Sequence, residues 1–336
     1  MINKIYEKVR NFIKVNYKFL VFFAILIFMF YYEFPYIIYK SGGTIDLGNR
    51  VKVEAEYVEE GKLKMSYVTA MKGTPAFVLL SYVLPDWDLM PMEKVAGADS
   101  DYDEVLEEGK AYLNEGIDNA IISAFKAAGR GLTITKTINT IMYISGEADT
   151  DIVVGDVLLK VDNIETNTLN ELKEYINSKN EGDIVKVKVS NNDKEYERYA
   201  KVYQSEEDLK IGIAFKTNYE YETEVPVTVK MKDNESGSSG SFMMSLAIYN
   251  ALTEDDITKG LNIVGTGSID NEGNILEIGG VKYKALAAEK NEADIFMVPK
   301  ENYEEAIKVK KNRNLKVKIV EVSTLQDAID YLNNNY

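Results

Sequence analysis

Residues 235–241 read Glu-Ser-Gly-Ser-Ser-Gly-Ser and place several hydroxyls where an alternating strand gives way to an apolar helix. Before the turn, Val225, Val227 and Val229 alternate with other residues; after it, Phe242, Met243, Leu246, Ala247 and Tyr249 recur at helical spacing. Such a turn carries unpaired backbone N–H groups at the positive end of a helix dipole, where a developing oxyanion is stabilised. A hydroxyl becomes a nucleophile only when a neighbour accepts its proton. The chain has no histidine and no cysteine, so a Ser-His-Asp triad and a Cys-His pair are both excluded. The base that remains is a lysine held neutral by burial.

Two lysines open a later helix in Gly279-Gly280-Val281-Lys282-Tyr283-Lys284-Ala285-Leu286-Ala287-Ala288. At roughly 100° per residue, Lys284 falls beside Val281 and between Ala287 and Ala288, whereas Lys282 points about 160° away, near Glu289. Lys284 is therefore the one expected to lose water.

The run Gly237-Ser238-Ser239-Gly240-Ser241, then Gly265-Thr266-Gly267, then Gly279 to Lys284, resembles the proteolytic domain of the Lon family. Carried over position by position, the resemblance implies Ser239 as nucleophile, Lys284 as general base and Thr266 as a hydroxyl that orients the lysine, with Ser238 and Gly240 in support. The family's usual Gly-Pro-Ser-Ala-Gly reads Gly-Ser-Ser-Gly-Ser here, so Ser238 and Ser241 stay open as alternative nucleophiles. The acidic residue that the ATP-dependent relatives often carry three positions before the serine is Ser236. The resemblance runs from about Val225 to the C-terminus.

Composition narrows the partners. With 336 residues and 46% hydrophobic content, the chain can build two or three domains with real cores. A formal charge of −15 repels a phosphate backbone and argues against nucleic acid. Without cysteine or histidine, a zinc site would need carboxylates alone, so neither a metal nor a cofactor is expected. No Gly-x-x-x-x-Gly-Lys-Ser/Thr run occurs, which argues against a nucleotide site and for ATP-independent action.

Lys4, Lys8, Arg10, Lys14 and Lys18 precede an apolar run beginning at Phe19, interrupted only by Glu33 before Tyr39. That length suits a hydrocarbon core of roughly 30 Å. Positive charge ahead of the span places the N-terminus in the cytoplasm and the rest outside. Tyr31, Tyr32, Tyr36 and Tyr39 are expected to form an outer aromatic girdle, with Glu33 reaching toward headgroups. A cleaved signal peptide is the alternative, but no small-x-small site follows the run.

From Asn49 to Val68, Val51, Val53, Ala55 and Tyr57, then Leu63, Met65 and Tyr67, alternate around Glu60-Gly61 and predict a hairpin. A short helix follows Thr74-Pro75, and a longer amphipathic one runs from Tyr102 to Phe125, closing near Gly129. This stretch reads as a stalk and packing module. Between Leu132 and Tyr203, Gly155-Asp156-Val157-Leu158 resembles the turn and strand of the PDZ family, in an order of elements like that of bacterial, protease-associated PDZ domains. PDZ domains bind peptides by adding a strand to a sheet edge; by analogy the edge here lies near Ile141, Met142, Tyr143 and Ile144.

The expected fold is thus α+β and α/β, multidomain: residues 1–18 cytoplasmic, 19–39 a transmembrane anchor, 44–130 an α+β packing module, 131–205 PDZ-like and 209–336 of Lon type. The order resembles membrane-anchored PDZ and Lon-domain serine proteases of Gram-positive bacteria. The resemblance implies an endopeptidase acting on exported peptides or proteins, with a ring of Lon-like domains left open. The rival expectation is an inactive adaptor whose PDZ-like domain tethers partners at the membrane.

Overall fold

The computed structural model describes residues 2–54, 57, 59–96, 102–165, 169–192, 194–205 and 208–336. A first helix, Ile2–Tyr31, is the one helix among the described residues long and apolar enough to cross a membrane, and none of its apolar window is buried against the rest of the protein. It ends eight residues before the predicted limit of the span. Pro35 cannot continue a helix, and Phe34–Asp46 instead forms a strand in which Ile37 and Ile38 are fully buried. Tyr36 and Tyr39 therefore belong to a sheet and not to a girdle, and Glu33 pairs with Lys72 at 3.2 Å.

That sheet has six strands in the order 318–322, 295–299, 262–265, 62–73, 34–46 and 87–91. The first four lie parallel, and the last two join antiparallel. Its parallel part is covered on both faces, which is why Ile295–Pro299 is apolar throughout and wholly buried. Ile263, Ile295 and Met297 pack with the helices Tyr102–Ala127, Ser241–Leu252 and Leu325–Asn335. Val264, Phe296 and Val298 pack on the other side with Val281, Ala285 and Ala288 of Val281–Lys290 and Ala306 of Lys300–Arg313.

Two expectations change here. No hairpin joins the two halves of residues 49–68: Val51–Val53 pairs with Val227–Val229, while Lys62–Gly73 lies between Phe34–Asp46 and Asn262–Gly265. Alternation marks a strand but not its partner; Ala55 lies outside the described residues. The stretch 44–130 is also no separate stalk, because its strand and long helix complete the sheet and core of the C-terminal unit.

The second sheet is antiparallel, ordered 213–223, 132–144, 157–161, 184–191 and 194–201, with the helix Leu169–Asn177 sharing its core. Ile213–Thr223, assigned by sequence to the Lon-type domain, belongs to this sheet. It also occupies the edge predicted to bind peptide: Phe215, Ala214 and Ile213 sit opposite Ile141, Tyr143 and Ile144, with Met142 in a bulge. The sheet's outer strand on this side is thus Ile213–Thr223. Its Thr217 and Tyr219 N–H groups donate to the carboxylates of Glu115 (3.3 Å) and Asp118 (3.2 Å) on the long helix.

Candidate active site

The turn before Ser241–Leu252 is pinned by its neighbours. The Ser239 carbonyl accepts hydrogen bonds from the Gly267 N–H at 2.8 Å and the Thr266 hydroxyl at 3.0 Å, and the Phe242 N–H donates to the Gly267 carbonyl at 3.1 Å. Thr266 and Gly267 follow directly from the strand Asn262–Gly265, so the sheet itself fixes the turn. The Thr266 hydroxyl, expected to orient the lysine, donates its proton to the Ser239 carbonyl. Gly237, at φ +87°, takes the left-handed conformation that lets the chain enter the turn.

The turn's hydroxyls are not equivalent. That of Ser238 accepts from Ser268 at 2.9 Å, and that of buried Ser241 accepts from the Ile269 N–H at 3.0 Å. Among the described residues, the Ser239 hydroxyl and the N–H groups of Ser239 and Gly240 have no hydrogen-bond partner. Ser239 and Gly240 line a cleft of about 720 Å³ together with Ser66 to Ala70, Leu106, Leu113, Met231 and Met244. Met65 packs directly on Gly240, its sulfur occupying the space a Cβ would take.

The long helix Tyr102–Ala127 is a wall of this site that sequence reasoning missed. The Gly109 carbonyl accepts from the Gly237 N–H at 2.7 Å, and Gly116 faces Ser238 and Ser241 so closely that a Cβ would lie 3.1 Å from each of theirs. Farther along, the hydroxyls of Ser123 and Ser245 meet at 2.8 Å. A signal was present. Glycine costs about 1 kcal/mol relative to alanine inside a helix, so two of them seven residues apart point to a close approach on one face.

Lys284 is only 2% exposed, on the helix Val281–Lys290. Burial alone lowers its pKa from 10.5 to about 7, and among the described residues no carboxylate or hydrogen bond holds its ammonium. Gly280, at φ +75°, caps this helix, and a Cβ there would strike Val68, which lines the cleft. Among the described residues, no hydrogen bond joins Ser239 and Lys284. Lys282 is turned outward, as helical geometry requires, and pairs with Asp88 at 2.7 Å; Tyr283 donates to the same carboxylate. Glu235 is engaged by Arg50 at 2.8 Å. Among the described residues no cluster of three or more metal-ligating side chains exists.

Residues 153–334, more than half of the chain, match the model of the Lon protease (S16) C-terminal proteolytic domain. Lon protease of Aster yellows witches'-broom phytoplasma is 34% identical over 94 residues, 28% of this chain and 12% of that protein. That of Campylobacter jejuni is 30% identical over 98 residues, 29% of this chain and 12% of the relative. The match therefore spans about an eighth of those proteins' length. Among solved structures, the PDZ domain of an SdrC-like protein from Listeria monocytogenes is 24% identical, covering 25% of this chain and 92% of that one at a TM-score of 0.23. By the extent of its C-terminal match, the chain belongs to the family of the Lon protease (S16) C-terminal proteolytic domain.

Proposed function

We propose that the chain is a membrane-anchored, ATP-independent serine endopeptidase in which Ser239 attacks a peptide carbonyl and Lys284, as a neutral amine, takes the proton. The observation that carries this reading is the Lys284 environment: in a chain without histidine, a lysine 2% exposed and shifted to a pKa of about 7 is a base matched to neutral pH. The N–H groups of Ser239 and Gly240, free of partners among the described residues, supply the oxyanion site, where one donor is typically worth about 10²- to 10³-fold in rate. Catalytic hydrogen bonds often tighten only on the bound substrate, and the lysine reaches the serine at that stage. The amine then protonates the leaving nitrogen, and water, activated the same way, releases the acyl group.

The first helix, with its basic start, serves as the anchor, and the positive charge at its N-terminus puts the cleft and its peptide or protein substrates outside the cytoplasm. The PDZ-like unit recruits or gates those substrates. The test is cleavage of a peptide by variants of the full chain. Ser239→Ala and Lys284→Ala are each expected to abolish turnover, while Ser238→Ala and Lys282→Ala retain it. Activity that survives Ser239→Ala and disappears with Ser238→Ala would move the nucleophile by one residue.

A further inference from the structure

The short helix Pro75–Ser81 and the turn after it expose five large apolar side chains within six positions: Leu79, Leu80, Tyr82, Val83 and Leu84. Tyr82 and Val83 are each 78% exposed. Residues 74–85 carry no charge at all. Charged pairs bracket them, with Lys72 bound to Glu33 on one side and Asp86 bound to Arg313 on the other. A contiguous apolar patch of this kind on a water-soluble surface marks something that covers it.

Its position says what does. The Phe77 ring meets Phe30, at the end of the first helix, edge-on at 6.4 Å, and also lies 6.3 Å from Trp87. The Phe30–Phe77 contact therefore joins the end of the first helix, whose exposed apolar side chains include Phe22, Phe23, Ile25, Ile27 and Phe30, to the short helix that leads into the exposed residues 79–84. A bilayer that accepts the one reaches the other.

We infer that residues 79–84 form a second membrane contact, an interfacial loop that inserts its apolar side chains among lipid acyl chains and holds the catalytic body against the membrane. The inference rests on the first helix being an anchor. Apolar side chains lying in the interface add affinity in proportion to the area they bury, and tyrosine suits the headgroup level, one end apolar and the other wet. The bracketing charges at Lys72 and Asp86 mark the limit of insertion, since moving them into hydrocarbon is costly.

The absence of native cysteine makes the test direct. Ile25→Cys, Val83→Cys and Leu276→Cys, each in the full chain, are labelled with an environment-sensitive fluorophore and reconstituted into phosphatidylcholine–phosphatidylglycerol vesicles containing brominated acyl chains. Loss of emission at positions 25 and 83, with none at exposed position 276, is the expected result. Quenching at 25 alone overturns the loop contact and leaves the anchor standing. No quenching at 25 overturns the anchor and the loop with it. A blue shift at 83 that bromine does not quench, and that grows with protein density in the vesicle, assigns the patch to a second copy of the chain and also overturns the inference.

Discussion

The Ser239 carbonyl is held by two donors while, among the described residues, its hydroxyl is held by none, and that asymmetry leaves the side chain free to react on a fixed backbone. The proton acceptor is subject to the opposite condition, because Lys284 is basic at neutral pH only through the desolvation that penalises its charged form. Two outcomes follow from a pKa near 7. Cleavage should rise with pH through about 7, as the amine loses its proton, and fall away below it; a rate profile with no acid limb in that region would remove Lys284 as the base. Stability follows the same titration. Between about 7 and 10.5 the unfolded chain binds the proton that the folded chain releases, so the penalty of burying Lys284 is full below that window and vanishes above it. Lys284→Met should therefore be inactive but harder to unfold in urea, by on the order of 4 kcal/mol near pH 7, with the gap closing toward pH 10.

Among the elements, the long helix Tyr102–Ala127 has the widest reach. Its Gly109 and Gly116 abut the serine turn, and its Glu115 and Asp118 cap the outer strand of the second sheet. Gly116→Val would press a branched side chain onto Ser238 and Ser241; small displacements of catalytic geometry cost about 10²-fold, so kcat should fall by that order while KM and the far-UV circular dichroism stay close to the parent. A proportional rise in KM would instead place Gly116 in substrate binding. The amphipathic period of this helix was legible in Leu106, Leu113, Ile117 and Ile121, because the helical repeat appears directly in the sequence. Its part in the site was not, since that depends on which element lies across a glycine. The burial of Lys284 was legible for a related reason: Val281, Ala287 and Ala288 surround it within two turns of one helix. The partner of Val51–Val53 and the owner of Ile213–Thr223 were hidden, because strand pairing joins residues that local patterns do not connect.

At the level of the whole molecule, the C-terminal unit is discontinuous in sequence. Leu63 and Met65 lie in the same core as Phe242, Ile263 and Leu332, and the strand Lys62–Gly73 stands between Asn262–Gly265 and Phe34–Asp46. A fragment of residues 209–336 would leave the Asn262–Gly265 edge unpaired and lose the face that the long helix covers. It is expected to show no cooperative thermal transition, whereas residues 34–336 retain one; a sharp melt of the shorter piece would mean that the N-terminal strands are dispensable. The register of Leu63 on Ile263 also has a kinetic consequence. Two hundred residues must leave the ribosome between those two, which at roughly 5–20 residues per second takes about 10–40 s. During that interval Leu63 and Met65 wait beside an open edge, exposed to mispairing, and the nascent chain depends on whatever shields it until its last third has been made.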